Sequence, residues 1–202
     1  MDRLNALARR VPTWVVYLLG LVPLGFLVWG AVFGGLGPDP VKAIERGLGE
    51  RGLQFLLASL AVTPMRRLGL NLLRFRRALG LLSFLYVSLH LVAWVWLDMG
   101  LRWGEMLADL TKRPFVILGM IGFLVMVPLA ATSWNGAIRR IGAVGWNRLH
   151  KLAYVAILAG TVHLALISKV WTGEVLVYLG LALGLLALRL LPKAPIRRRA
   201  SA

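Results

Sequence analysis

Residues 76–97 read RRALGLLSFLYVSLHLVAWVWL, two arginines followed by a run of twenty residues that carries no formal charge. An α-helix rises about 1.5 Å per residue, so such a run crosses the roughly 30 Å hydrocarbon core of a bilayer. Comparable runs place further spans near 14–33, 52–68, 114–133, 149–168 and 174–191. The punctuation between them agrees: GGLGPDP closes the first, Pro64 and Arg66-Arg67 end the second, and Arg113-Pro114 opens the fourth. Strand-like alternation suited to a membrane barrel is absent, which leaves helices to satisfy the backbone inside lipid. The predicted fold class is an all-α integral membrane protein. It is a six-transmembrane-helix bundle over residues 1–192, followed by a disordered basic cytoplasmic tail, 193–202.

Composition points the same way. Hydrophobic residues make up 59% of the 202 and charged residues only 16%, with mean hydropathy +0.76. A soluble domain is about half apolar and about a quarter charged. The start, MDRLNALARRVPTWVVYLLG, has the basic-then-apolar order of a signal peptide. Its apolar run continues to Phe33 without a small-residue cleavage site, so it reads as a retained first span. There is no cysteine, which excludes disulfides, thiolate-held iron–sulfur clusters and covalent haem attachment through C-x-x-C-H. A cofactor held noncovalently by histidine survives that exclusion. No Gly-rich nucleotide fingerprint follows a strand, and no soluble domain is read.

Six spans leave both termini on one side of the membrane. The N-terminus, the 65–77 and 134–151 loops and the tail hold 17 of the 24 Lys/Arg, while the opposite side holds 7, together with 7 of the 8 acids. Lysine and arginine accumulate on cytoplasmic loops, which places both termini in the cytoplasm. The formal charge of +16 is then a topology signal facing the anionic headgroups of the lipid bilayer, and no nucleic acid is needed to explain it. On the other side, Asp39-Pro40 reads as an N-cap followed by proline at the first helical position. That pair opens a short interfacial helix over PDPVKAIERGLG.

Three histidines occur in the chain. His90 lies 13 residues along its span from the Arg77 edge, and His163 lies 13 residues beyond His150, which opens the fifth span. Both spans run from inside to outside, so the two imidazoles reach one depth, about 19–20 Å above the cytoplasmic edge. Histidines level with each other on different helices can hold one metal ion between them, and porphyrin iron takes axial imidazoles in this way. His90 and His163 are the predicted axial ligands of a b-type haem. The bland alternative makes each a separate, hydrogen-bonded polar residue, but ionisable groups in hydrocarbon are rare and usually functional.

His150 stands at the inner edge, level with Arg76 and Arg77. Three readings stay open for it: ligand of a second haem with an unidentified partner, polar contact for a quinone or flavin, or interfacial histidine without a special role. Arg76, Arg77 and Arg148 carry the charge to pair with cofactor carboxylates or phosphate. Trp146 and Tyr154 offer rings on which a cofactor can stack. Topology anchoring and the aromatic belt explain the same residues as well.

Two longer stretches carry a family pattern. TPMRRLGLNLLRFRRALGLLSFLYVSLHLVAWVW, 63–96, contains TP-x-RR, RR-x-LGL and Y-x-x-LH. TSWNGAIRRIGAVGWNRLHKLAY, 132–154, contains TS, RR-x-G and W-x-x-LH-x-L-x-Y. In these motifs the chain resembles the MsrQ family of haem-binding membrane subunits, part of the ferric-reductase-like transmembrane superfamily, from about Pro12 to Pro192. The resemblance implies electron transfer in a bacterial inner membrane. Electrons would come from the quinone pool, pass through b haem, and reach MsrP, a periplasmic molybdopterin-containing reductase that repairs methionine sulfoxide in proteins. It also associates FMN and a cytosolic flavin reductase with the donor side. The family's three haem-associated histidines fall on His90, His150 and His163, which implies one b haem or two. Superfamily members with two stacked haems carry two histidines on the span where this chain has His90 alone.

The sulfoxide chemistry falls to the partner, because the chain offers no thiol and no molybdenum ligand. Two rival readings stand beside the electron conduit. One is a ferric-type transmembrane metal reductase, although such enzymes usually carry their own nucleotide-binding domain. The other is a non-redox membrane protein with incidental histidines.

Overall fold

The computed structural model describes residues 1–168 and 170–190. Lys169 and everything from residue 191 on, including the expected tail 193–202, lie outside the described residues. Nine α-helices are described: α1 (Asp2–Arg10), α2 (Thr13–Phe33), α3 (Pro40–Arg67), α4 (Arg76–Ala93), α5 (Trp103–Lys112), α6 (Pro114–Ala131), α7 (Asn135–Leu149), α8 (Leu152–Ile167) and α9 (Gly173–Leu190). A single 3-10 turn, Leu73–Phe75, leads into α4, and a π-turn, Trp94–Asp98, prolongs it. No strand occurs among the described residues.

The bundle is apolar outside as well as inside. Phe26, Val32 and Phe33 of α2, Leu124 of α6 and Val177 of α9 are largely exposed. In water such a surface drives association; in hydrocarbon it is simply the solvent-facing side. The core forms where Leu53, Leu56, Leu57 and Leu60 of α3 meet Met126, Ile157, Tyr178 and Ala182. The chain is thus a helical membrane protein with α3 at its centre.

Span by span, the outcome departs from six equal crossings. Four stretches are long and apolar enough to cross a membrane: Thr13–Phe33, Leu73–Asp98, Pro114–Ala131 and Gly173–Leu190. A fifth is the pair α7 and α8, bent by 41° at their junction. The expected second span lies within α3, whose Arg46, Glu50, Arg51, Arg66 and Arg67 leave too short an apolar middle to qualify by composition. Nor does the interfacial helix end at GLG. Asp39 caps it as expected, its Oδ1 accepting from the Lys42 N–H at 3.0 Å, but the helix continues unbroken to Arg67. Within it, Gly52 lets α4 approach closely: a Cβ there would meet Val87 Cγ2 at 2.6 Å, and Ser83 Oγ donates to the Gly52 carbonyl at 2.7 Å.

The 134–151 segment, expected as a loop, is largely the helix α7, interrupted at Gly142. There φ is 76° and ψ is 153°, a conformation that glycine adopts without the steric cost of a Cβ. The segment between the third and fourth spans likewise carries α5. One further departure from regularity sits in α2, where Pro23 interrupts the ladder. Tyr86 of α4 inserts its hydroxyl there, accepting from the Leu24 N–H at 3.0 Å and donating to the Gly20 carbonyl at 2.7 Å. Both backbone groups are satisfied by one fully buried side chain, as lipid requires.

Candidate functional site

Helices α4 and α8 both start at the arginine-rich end of the bundle, so equal distances along them reach equal depth. His90 and His163 meet there, with ring centres 6.2 Å apart and ring planes at 80°. Each ring is tethered to a third helix. His90 Nδ1 lies 2.8 Å from the Glu45 carbonyl of α3, and His163 Nδ1 lies 2.6 Å from the Phe115 carbonyl of α6. A carbonyl oxygen only accepts, so in both rings Nδ1 carries the proton and, in the neutral imidazole, Nε2 keeps its lone pair. A histidine in this state, with Nδ1–H held by a carbonyl, is the usual form of a metal ligand.

Distance offers a second test of fit. Metal–imidazole bonds are about 2 Å and a ring centre lies about 1 Å behind its nitrogen, so two rings sharing one ion axially stand about 6 Å apart. The observed 6.2 Å agrees. Among the described residues no group of three or more His, Cys, Asp or Glu could hold a metal ion. A two-imidazole axial arrangement, with the remaining positions supplied by a macrocycle, is the metal chemistry this pair suits. The pair is braced nearby by Lys42, whose Nζ reaches Asp98 Oδ1 at 2.8 Å and ties the first turn of α3 to the π-turn after α4. That hydrogen bond raises the Lys42 pKa above the ordinary lysine value.

The third histidine is built differently. His150 sits at the break between α7 and α8 and stacks on Trp146, with ring centres 3.7 Å apart and planes at 24°. Trp146 in turn donates from Nε1 to the Thr132 carbonyl at 2.9 Å. Thr132 Oγ1 lies 2.7 Å from the Pro128 carbonyl and 3.1 Å from His150 Nε2, so a hydroxyl occupies the hydrogen-bonding position of that nitrogen. The nitrogen left free in the other two histidines is the one engaged here.

His150 lines a cavity of about 270 Å³ together with Arg76, Arg77, Ser133, Trp146 and Phe84. Of the residues the sequence proposed for the basic end, Arg76, Arg77, Trp146 and His150 therefore converge on one space. Arg77 also donates to Asn135 Oδ1 at 2.8 Å. Arg148 is exposed and does not line the cavity. Tyr154 stands apart as well, with the Arg189 guanidinium 5.8 Å above its ring. Phe84, which the sequence reading passed over, connects the two regions. It lines the cavity, stacks on Phe123 at 5.8 Å, and precedes His90 by six residues, about 9 Å along the helix. Thr132 and Ser133 had a faint signal in the TS motif, whereas nothing marked Phe84 among the other apolar residues.

The ferric reductase like transmembrane component family matches residues 49–161, a stretch that includes His90 and His150 and ends just before His163. The protein-methionine-sulfoxide reductase heme-binding subunit MsrQ of Brucella anthropi is 44% identical over 190 residues, 93% of this chain and 86% of the relative. The subunit of the same name from Brucella melitensis biotype 2 is 44% identical over 178 residues, 88% of this chain and 80% of that one. This chain belongs to the MsrQ family. The family's transmembrane character agrees with the apolar exterior and with the helices able to cross a membrane. No solved structure matches the chain.

Proposed function

We propose that the chain is the membrane electron-transfer subunit of a methionine-sulfoxide reductase system, with a b-type haem held between His90 and His163. The observation that carries this reading is the tethered pair of imidazoles, each with Nδ1 committed to a carbonyl, at a spacing that suits one shared iron. When bound, the haem supplies a reversible one-electron couple inside the membrane. The protein's part is to keep both Nε2 atoms unprotonated and level, and to shield them from water within the bundle.

Charge orients the proposed path. With Arg66, Arg67, Arg74, Arg76 and Arg77 gathered at one end, that end faces the cytoplasm of a bacterial inner membrane and the histidine pair lies toward the periplasm. Both termini are then cytoplasmic, with α3 serving as the sixth, short crossing. The cavity at His150 is the donor side. A quinone, FMN or a second haem would meet His150 and Trp146 there, with Arg76 and Arg77 facing any carboxylate or phosphate. The engaged Nε2 of His150 favours a contact with the donor over a second axial ligand. The acceptor is a periplasmic molybdopterin-containing reductase of the MsrP type, with the quinone pool or a cytosolic flavin reductase as the source of electrons.

The test is optical. Protein purified from haem-replete cells is expected to show the reduced bands of a b haem that acidic solvent extracts and pyridine converts to its haemochrome. A colourless preparation would sink the reading. Reduction of the bound haem by a quinol analogue, followed by oxidation on adding the molybdopterin partner, then checks direction.

A further inference from the structure

The two histidine tethers share a construction that reaches beyond the histidines. Glu45 and Gly49 stand four residues apart on α3, and Phe115 and Gly119 stand four residues apart on α6. In an α-helix the carbonyl of one residue accepts from the N–H four positions on. The Cβ of that later residue leans back along the helix toward the same place. A ring arriving from a neighbouring helix to reach the carbonyl must therefore pass the later residue's Cβ. At both tethers that residue is glycine. A Cβ on Gly49 would lie 3.2 Å from His90 Nδ1 and 3.3 Å from its Cε1. On Gly119 it would lie 3.0 Å from His163 Nδ1 and 3.1 Å from its Cε1.

On α6, general crowding between the helices does not account for this. Gly122, one turn along α6, would bring its Cβ to an ordinary 3.6 Å from Ala159 Cβ. Gly52 of α3 also lies close to α4, through Val87, so what distinguishes Gly49 and Gly119 is the seated ring, which recurs on two helix pairs, α3 with α4 and α6 with α8, with the same atoms and the same four-residue interval.

We propose that Gly49 and Gly119 are positioning residues which, with the carbonyls of Glu45 and Phe115, form two matched cradles that set the rotation and facing distance of His90 and His163 as an axial pair. The inference rests on the axial-ligand reading given above. Each cradle holds its ring plane through one hydrogen bond on one side of the imidazole and glycine contact along the edge. Together they set the 80° between the planes. A methyl at either position forces the ring away by a few tenths of an ångström, which lengthens the Nδ1–H tether or turns the ring.

The experiment compares the wild-type chain with Gly49→Ala, Gly119→Ala, Gly122→Ala, His90→Ala and His163→Ala, all purified as full chains from haem-replete cells. Size exclusion and circular dichroism establish folding. Low-spin electron paramagnetic resonance, redox titration and haem transfer to apomyoglobin provide the readouts. The wild type is expected to give the strongly anisotropic low-spin signal of near-perpendicular axial rings. Gly49→Ala and Gly119→Ala are expected to remain folded but change that signal, and to lose haem about 10- to 100-fold faster, the scale typical of lost outer-shell support. Their midpoint potential should rise, because a weaker Nδ1–H···O=C bond makes the imidazole a poorer donor to ferric iron. Gly122→Ala should match the wild type in every readout.

Unchanged spectra and haem retention in both Gly49→Ala and Gly119→Ala would overturn the cradles. So would a wild-type signal of parallel ring planes, or equal effects from Gly122→Ala. Low-spin haem surviving in His90→Ala or His163→Ala would instead overturn the axial-ligand reading itself.

Discussion

At one end of α8, His163 gives its Nδ1 proton to a backbone carbonyl, keeps Nε2 free and stands 6.2 Å from a second imidazole. At the other end, His150 has its Nε2 hydrogen-bonded to a threonine hydroxyl, lies stacked on a tryptophan, and borders a cavity shared with two arginines. The same side chain thus stands in two chemical settings, and the difference lies in which ring nitrogen the surroundings engage. A backbone carbonyl can orient an imidazole without competing for the metal. A side-chain hydroxyl on Nε2 occupies the nitrogen that the other two histidines leave open.

The most severe way to break this contrast is to remove the paired rings. His90→Ala and His163→Ala should each abolish the low-spin haem signal, whereas His150→Ala should leave haem content per chain unchanged, as read by pyridine haemochrome against protein mass. A fall of about half in His150→Ala would move that residue into the ligand class and erase the distinction. Next in size are the arginines of the cavity. Arg76→Ala or Arg77→Ala should slow haem reduction by a quinol roughly 10- to 100-fold while sparing the low-spin spectrum, since charge-assisted hydrogen bonds contribute about 1.5–3 kcal/mol. Stopped-flow absorbance measures this directly, and the rate should also become less sensitive to salt.

Smaller effects sharpen the comparison further. Tyr86→Phe leaves the Leu24 N–H and Gly20 carbonyl without their shared partner inside the bundle. It should lower stability by about 1–3 kcal/mol, seen as a reduced thermal midpoint in detergent. The haem signal of the folded fraction should persist. Trp146→Phe keeps a ring beneath His150 but loses the Nε1 bond to the Thr132 carbonyl. About 1 kcal/mol of stability and a slower quinol reaction are expected, with no change at the His90–His163 pair. A spectral change there would show that the two ends are coupled more tightly than their separation suggests.

How much of this was legible beforehand varies residue by residue. The equal depth of His90 and His163 followed from helix rise alone, because 13 residues from a charged edge is a depth in any straight helix. Convergence of His150 with Arg76 and Arg77 followed from the same arithmetic applied at the edge. Gly49 and Gly119 were not readable, since the chain has 22 glycines and only the packing of α3 on α4 and of α6 on α8 singles out these two. The carbonyls of Glu45 and Phe115 were equally silent, because every residue carries one. Residues 134–151 depart from the expected loop for a related reason: a single positive-φ turn at Gly142 preserves helix on both sides. For α3, Glu50 and Arg51, which divide its sequence into a helix and a span, lie inside one continuous rod, because charged side chains do not by themselves interrupt a helical backbone.

By itself the sequence determined that this is a helical membrane protein, which end of it is basic, and which histidines share a depth. Each of these depends only on residue type, spacing and the fixed geometry of a helix in lipid. Only the tertiary structure decided which nitrogen of each imidazole is free and which carbonyls hold the rings, and showed where an absent methyl makes room for them. Those features depend on contacts of about 3 Å between different helices, and no linear pattern records how one helix is rotated against its neighbour.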